Sequence, residues 1–199
     1  MRPTLTRCTQ AMACAAAVLS LAACGGDADG ERTSATSSAS SATSSEPTYD
    51  DDYAYAEAKK IAPMMRKIAA GKPLPKDTEW ATASYIKAYN DQVASLKKKG
   101  ITEKGSVTID SMHQDASNPD APGGWDMTMY ECSTSTVRYY KDGKDVTGTP
   151  GDSNTRLPKG PHENVHLLSF TTSDDGKTWQ LDEVQQLLGN DARQSPCAK

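Results

Sequence analysis

The chain has 199 residues, with 22 Lys and Arg against 26 Asp and Glu and a formal net charge of −4. That length allows one ordinary domain with appendages. The acidic balance argues against a nucleic-acid binder, which needs clustered Lys and Arg to neutralise phosphates.

The first stretch carries Arg2 and Arg7, then the apolar run Ala11-Met12-Ala13-Cys14-Ala15-Ala16-Ala17-Val18-Leu19. A charged start, a short apolar core and small residues before a cleavage point describe an export signal. The run is too short to span a bilayer, which takes about 20 apolar residues. Leu21-Ala22-Ala23-Cys24 then looks like a bacterial lipobox, so residues 1–23 read as a lipoprotein signal peptide and Cys24 as the lipidated N-terminus. Cleavage there removes two arginines and no acid, which makes the mature chain more acidic. Residues 24–48 are dominated by Ser, Thr, Ala, Gly and Asp. A stretch with so little to bury is expected to act as a disordered tether.

From Tyr49 the composition changes, and residues 49–199 read as one α+β domain. Asp50-Asp51-Asp52 marks a helix start, where carboxylates favour the dipole; a calcium loop would need a glycine and a terminal Glu that are missing. Ala54, Ala58, Ile61, Met65 and Ile68 recur at helical spacing. Pro63 predicts a kink or break near Ile61, and Gly71 ends the helix. After Lys72-Pro73-Leu74-Pro75-Lys76, Asp77 is the expected cap of a second helix, with Trp80, Tyr85, Ala88, Tyr89, Val93 and Leu96 facing inward. Lys97-Lys98-Lys99 suits its C-terminus, and Gly100 stops it.

The period then shifts to two. Val107 to Ser111 predicts a strand, Asn118 to Gly124 a turn, and Trp125 to Ser133 a second strand that alternates Trp125, Met127 and Met129 with Asp126, Thr128 and Tyr130. Thr136 to Tyr140 is a third, turning at Asp142-Gly143, a pair that favours positive φ and a tight hairpin. Thr147 to Pro161 reads as a polar loop, Asn164 to Thr172 as a fourth strand, Asp175-Gly176 as a turn, and Thr178 to Leu187 as a fifth strand. Two helices followed by antiparallel strands define an α+β class. Of the five cysteines, Cys8 and Cys14 leave with the signal and Cys24 takes lipid. Cys132 and Cys197 remain, an even pair that implies a disulfide in an exported protein. Closing a loop of about 65 residues stabilises by roughly 4 kcal/mol in the chain-entropy model.

This order of elements, with Glu131-Cys132-Ser133 leading into Tyr139-Tyr140-Lys141-Asp142-Gly143-Lys144 and then Asp175-Gly176-Lys177-Thr178-Trp179, resembles secreted actinobacterial lipoproteins of the nuclear transport factor two-like superfamily. The resemblance spans Tyr49 to Cys197. It implies a cystatin-like cone, in which a curved antiparallel sheet packs against N-terminal helices around an internal pocket. It also implies a surface through which such folds form homodimers. It names no activity, because the superfamily holds dehydratases, isomerases and many non-catalytic domains.

Two constellations could carry chemistry. His162-Glu163-Asn164-Val165-His166 would hold zinc on a helix, with Glu163 as base and Glu183 as a possible third ligand. In a strand the two histidines lie about 13 Å apart and cannot share an ion, and the Leu167–Thr172 run favours a strand. His113, with Asp115 and Asp126 nearby, is a candidate acid–base pair for a dehydratase- or isomerase-like enzyme in the cone. No Ser nucleophile elbow, Gly-rich phosphate loop or paired Cys/His cluster is present, so no cofactor is expected. The leading expectation is a lipid-anchored domain without a catalytic set, on the outer face of the cytoplasmic membrane of a Gram-positive bacterium. It would hold membrane lipid through Cys24 and bind a small ligand or a protein partner. The acid–base enzyme is the alternative, and the zinc metalloprotease a third reading that requires a helix at His162–His166.

Overall fold

A computed structural model describes residues 49–198, which fall in one compact unit, Ser45–Lys199. The expected leader, the expected lipobox at Cys24 and the expected tether lie outside the described residues. The described chain is α+β, with three helices and antiparallel sheets.

Helix α1 (Asp51–Arg66) starts as the sequence reads: the Asp50 side chain caps it by accepting from the Tyr53 amide at 2.9 Å, with Asp51 and Asp52 in the first turn. Its buried stripe is Ala54, Tyr55, Ala58, Ile61, Ala62 and Met65. The predicted break at Pro63 does not occur. The proline leaves the Lys59 carbonyl without its helical amide partner and crowds it with the ring. Burial of Ile61, Ala62 and Met65 on either side of it offsets that cost.

Helix α2 (Ala83–Lys98) starts six residues later than Asp77, capped by Thr82, whose hydroxyl accepts from the Tyr85 amide at 3.2 Å. The reason is competition from a strand. The Thr82 amide donates to the Leu181 carbonyl at 3.0 Å and the Leu181 amide to the Trp80 carbonyl at 2.9 Å, which holds residues 80–82 extended. Ile86 is the buried residue of α2; Tyr85, Tyr89, Val93 and Leu96 are half-buried, and Ala88 is exposed rather than inward. Gly100 follows the helix with φ 66°, the left-handed conformation expected of a helix stop.

The strands are β1 (Ile101–Lys104), β2 (Val107–Asn118), β3 (Trp125–Ser135), β4 (Arg138–Lys141), β5 (Lys144–Asp145), β6 (Gly148–Thr149), β7 (Asp152–Arg156), β8 (His162–Thr172) and β9 (Gln180–Leu187), followed by α3 (Gly189–Gln194). The main antiparallel sheet has the order β2-β3-β8-β9, a second has the order β1-β4-β5, and β6 pairs with β7. The expected third strand therefore joins a different sheet from its neighbours, and the expected polar loop contains the β6–β7 hairpin. The Asp-Gly turn is as read: Asp142 and Gly143 have φ 50° and 75° between paired Lys141 and Lys144.

Strand β3 alternates along its whole length, burying Trp125, Met127, Met129, Glu131, Ser133 and Ser135. The main core joins this face to Leu168 and Phe170 of β8, Trp179 and Leu181, and the α1 stripe. Met127, Met129, Leu168, Phe170 and Leu181 are at most 1% exposed, and each such burial contributes about 1.5–3 kcal/mol. Gly124 is required at the entry to β3: its φ is 135°, and a Cβ there would sit 1.8 Å from the Thr172 carbonyl oxygen. On the other face, Cys132 is disulfide-bonded to Cys197, with Cα atoms 5.4 Å apart, tying the C-terminal segment to β3.

Candidate functional site

The inward face of β3 changes character at residue 131. Trp125, Met127 and Met129 precede Glu131, Ser133 and Ser135, and the paired β8 residues follow suit: Phe170 and Leu168, then His166, Asn164 and His162. The result is a polar floor on the face that α1 and the core cover.

Glu131 is the centre of this floor and is 0% exposed. An unpaired carboxylate there would be prohibitive. Arg66, in the last turn of α1, supplies the counter-charge: its Nε donates to both carboxylate oxygens at 3.1 and 3.2 Å, and its Nη2 donates to Oε1. His166 Nδ1 lies 3.3 Å from Arg66 Nη2 and 3.5 Å from Glu131 Oε1. Its role follows the tautomer: without a proton Nδ1 accepts from Arg66 Nη2, and with one it donates to Glu131 Oε1. Burial pushes the Glu131 carboxyl up, but hydrogen bonds from His166 and Arg66, and their charges, outweigh it and hold the group below the usual carboxylate range.

Tyr85 of α2 borders the cluster. Burial, with Tyr89 and Glu131 adding to it and Arg66 opposing, pushes its phenol up to about 12. Further along the floor, Ser133 Oγ and His162 Nδ1 are buried without a hydrogen-bond partner among the described residues. Each such group costs about 1–3 kcal/mol. Burial, then the nearby charge of Arg138, pushes the His162 imidazole down, against the Gly160 backbone. The floor therefore presents a neutral phenol, a neutral imidazole, a free hydroxyl and a carboxylate already clasped by arginine. A carboxylate held low and bonded through both oxygens is a poor general base.

The residues singled out by sequence are distributed differently. His113 lies on β2 opposite Tyr130 and its Nε2 is 2.9 Å from Ser111 Oγ, whereas Asp126 is exposed on β3 opposite Asn118. Their register positions on β3 differ by four residues, about 13 Å of strand rise, so they form no acid–base pair. Asp115 accepts from Thr128 Oγ1 at 2.7 Å. The segment His162–His166 lies in β8 and not on a helix, which removes the premise of the zinc protease. His162 and His166 share the inward face, about 13 Å apart, while Glu163 lies opposite Thr134 on the other face. Glu183 is on β9 opposite Ser169. Among the described residues no group of three His, Cys, Asp or Glu side chains is placed to hold a metal ion.

Sequence reasoning missed the Arg66–Glu131–His166 cluster. A signal for it was present: extending the alternation Trp125, Met127, Met129 by one step puts a carboxylate on the apolar face, and a buried carboxylate requires a cation.

No family model matches the chain. No curated protein matches it either. Among solved structures it is similar to the intermembrane space region of the chloroplast protein ARC6, at 14% identity and a TM-score of 0.41, over 72% of this chain and 100% of that one. A likeness at this level assigns no activity. Among the described residues no helix is long and apolar enough to cross a membrane.

Proposed function

We propose that this chain is a lipid-anchored, extracytoplasmic binding domain that holds a small ligand or a protein partner on the inward face of its main sheet. In this reading Cys24 is the acylated residue, and the main sheet and its helices take the cone form of the nuclear transport factor two-like superfamily. The observation that carries a binding role over catalysis is the state of the polar floor. Its carboxylate is neutralised by Arg66, while Ser133 Oγ and His162 Nδ1 keep hydrogen-bonding capacity that no neighbouring protein group uses. Such groups recognise a polar ligand more readily than they move protons. Two acyl chains or more make an anchor stable where one is marginal.

Anchoring is tested by fractionating cells that express wild type or Cys24→Ala. After a high-salt wash the variant should leave the membrane fraction, and retention of both forms alike through that wash would refute lipidation. The binding face is tested by placing a photo-crosslinking residue at His162 and, as control, at Thr134 on the opposite face. Adducts formed only from the Thr134 position would move recognition off the inward face.

A further inference from the structure

Between Glu57 and Asp77 the chain carries Lys59, Lys60, Arg66, Lys67, Lys72 and Lys76 and no acid, within a protein whose overall charge is negative. Two of these cations are spent, Arg66 on Glu131 and Lys60 on Glu57. Lys59, Lys67, Lys72 and Lys76 are exposed and make no ion pair among the described residues. Lys67 lines, and Lys72 and Lys76 flank in sequence, a groove of about 400 Å³ between the end of α1 and the loop after it, whose other lining residues include Met64, Ile68, Pro73, Pro75 and Trp80. Met64 is 46% exposed, and Trp80 is half-buried. Asp77 also lines the groove, and Glu79, exposed, lies between its lining residues Thr78 and Trp80. The loop is fixed in place: the Leu74 amide donates to Asn90 Oδ1 at 2.7 Å, and Asn90 Nδ2 donates back to the Leu74 carbonyl at 2.9 Å.

We propose that this end of the domain docks on an anionic phospholipid surface, with Lys67, Lys72 and Lys76 at the phosphates and Met64, Pro73 and Trp80 at the headgroup boundary. Charge complementarity selects the occupant. Exposed lysines around a Trp and an exposed Met match an interface that is negative outside and apolar beneath, and they do so on a chain that is otherwise acidic and repelled by it. Tryptophan favours that depth because one end of its ring is apolar and the other is wet. Because Asn90 already orders the loop, docking costs little further entropy. The proposal rests on the lipid-anchor reading only in that the anchor brings the domain to the membrane; the face itself is testable without it.

The experiment uses the full chain bearing Cys24→Ala, with vesicles of phosphatidylcholine alone or mixed with phosphatidylglycerol and carrying brominated acyl chains. Trp125 and Trp179 are 8% and 4% exposed, so quenching reports Trp80. Quenching is expected on anionic vesicles, fading at high salt, and absent in a Trp80→Phe variant. Lys67→Gln/Lys72→Gln/Lys76→Gln, with unchanged unfolding behaviour, should weaken partitioning by about 100-fold, from roughly fivefold per surface cation. Lys→Glu at the same three positions reverses the charge and should weaken it further. Equal quenching on neutral vesicles, or charge-reversed protein that binds as well as its parent, would overturn the proposal. So would sedimentation with vesicles while Trp80 stays unquenched, or loss of binding to lipid alongside retention by an acidic protein. If instead the lipidated protein washes off vesicles while the Cys24→Ala signal stands, the anchor reading fails and the docking face survives.

Discussion

Replacing Arg66 with alanine isolates the chemistry of the polar floor. Glu131 is 0% exposed and Arg66 is 18% exposed at its side chain, so the deletion strands a buried carboxylate with only the His166 ring nitrogen, 3.5 Å away, as a neighbour. Removing one partner of a buried pair costs about 3–5 kcal/mol, or roughly 10 °C in Tm for a domain of this size. The dependence on pH separates this from lost packing. In the wild type the folded Glu131 titrates below its unfolded value. Its stabilising contribution is therefore present above the unfolded carboxylate value of about 4.3 and is lost as pH falls through the lower folded value.

In Arg66→Ala only His166 is left to oppose the burial that pushes this carboxyl up, so the folded carboxyl rises relative to wild type. The stability contributed by the ionised carboxylate shrinks accordingly. The stability gap between the two proteins should widen as pH rises through the carboxylate range. Urea unfolding followed by tryptophan fluorescence across that range measures it. A gap that stays constant with pH, or one below about 1 kcal/mol at neutrality, would refute the argument that Arg66 is there to neutralise Glu131. The companion variant Arg66→Met/Glu131→Leu removes both charges and should be less destabilised than Arg66→Ala alone.

Other expectations concern the frame around this face. Cys132→Ser should lower stability by roughly 4 kcal/mol in urea titration under oxidising conditions, and should have no further effect once wild type is reduced. Gly124→Ala places a Cβ 1.8 Å from the Thr172 carbonyl and should cost at least about 2 kcal/mol, whereas Gly123→Ala meets nothing within 4 Å and should cost about 1 kcal/mol for its positive φ alone. Thr82→Ala should cost about 1 kcal/mol in thermal unfolding, and Asp77→Ala far less, because Thr82 and not Asp77 caps α2.

The legible parts of the fold were those set by local chemistry. The acidic start of α1 at Asp50-Asp51-Asp52, the α1 stripe, the Asp142-Gly143 turn and the alternation of β3 each depend on residues within one turn or one strand of each other. The α2 start was misread because Thr82 takes its role from a contact with Leu181, a hundred residues away in sequence, which holds Trp80 to Thr82 extended. The β1-β4-β5 sheet escaped for the same reason: Ile101–Lys104 is too short and too polar to announce itself until Arg138–Lys141 lies beside it. The candidate pairs failed on register. His113 and Asp126 are near in sequence and on adjacent strands, but the β2–β3 pairing sets them four rungs apart.

The polar floor shows why the site was harder to read than the fold. Its members come from residues 66, 131 and 166, so no window of sequence contains them, and each alone has an ordinary explanation. What links them is where the apolar part of β3 ends. The buried stripe of α1 runs from Ala54 to Met65 over the part of the sheet that carries Met127, Met129, Leu168 and Phe170, and Arg66 is the next residue. The helix therefore arrives at Glu131 as its apolar face runs out, and the ion pair fixes where along the sheet α1 comes to rest. A one-turn slip would carry Arg66 about 5.4 Å along the helix axis and leave the carboxylate buried without it. The same pair that removes Glu131 from acid–base chemistry thus bears on the register of the helix whose last turn carries Met64 and whose C-cap is Lys67. For that reason the Arg66→Ala experiment bears on the geometry of both faces.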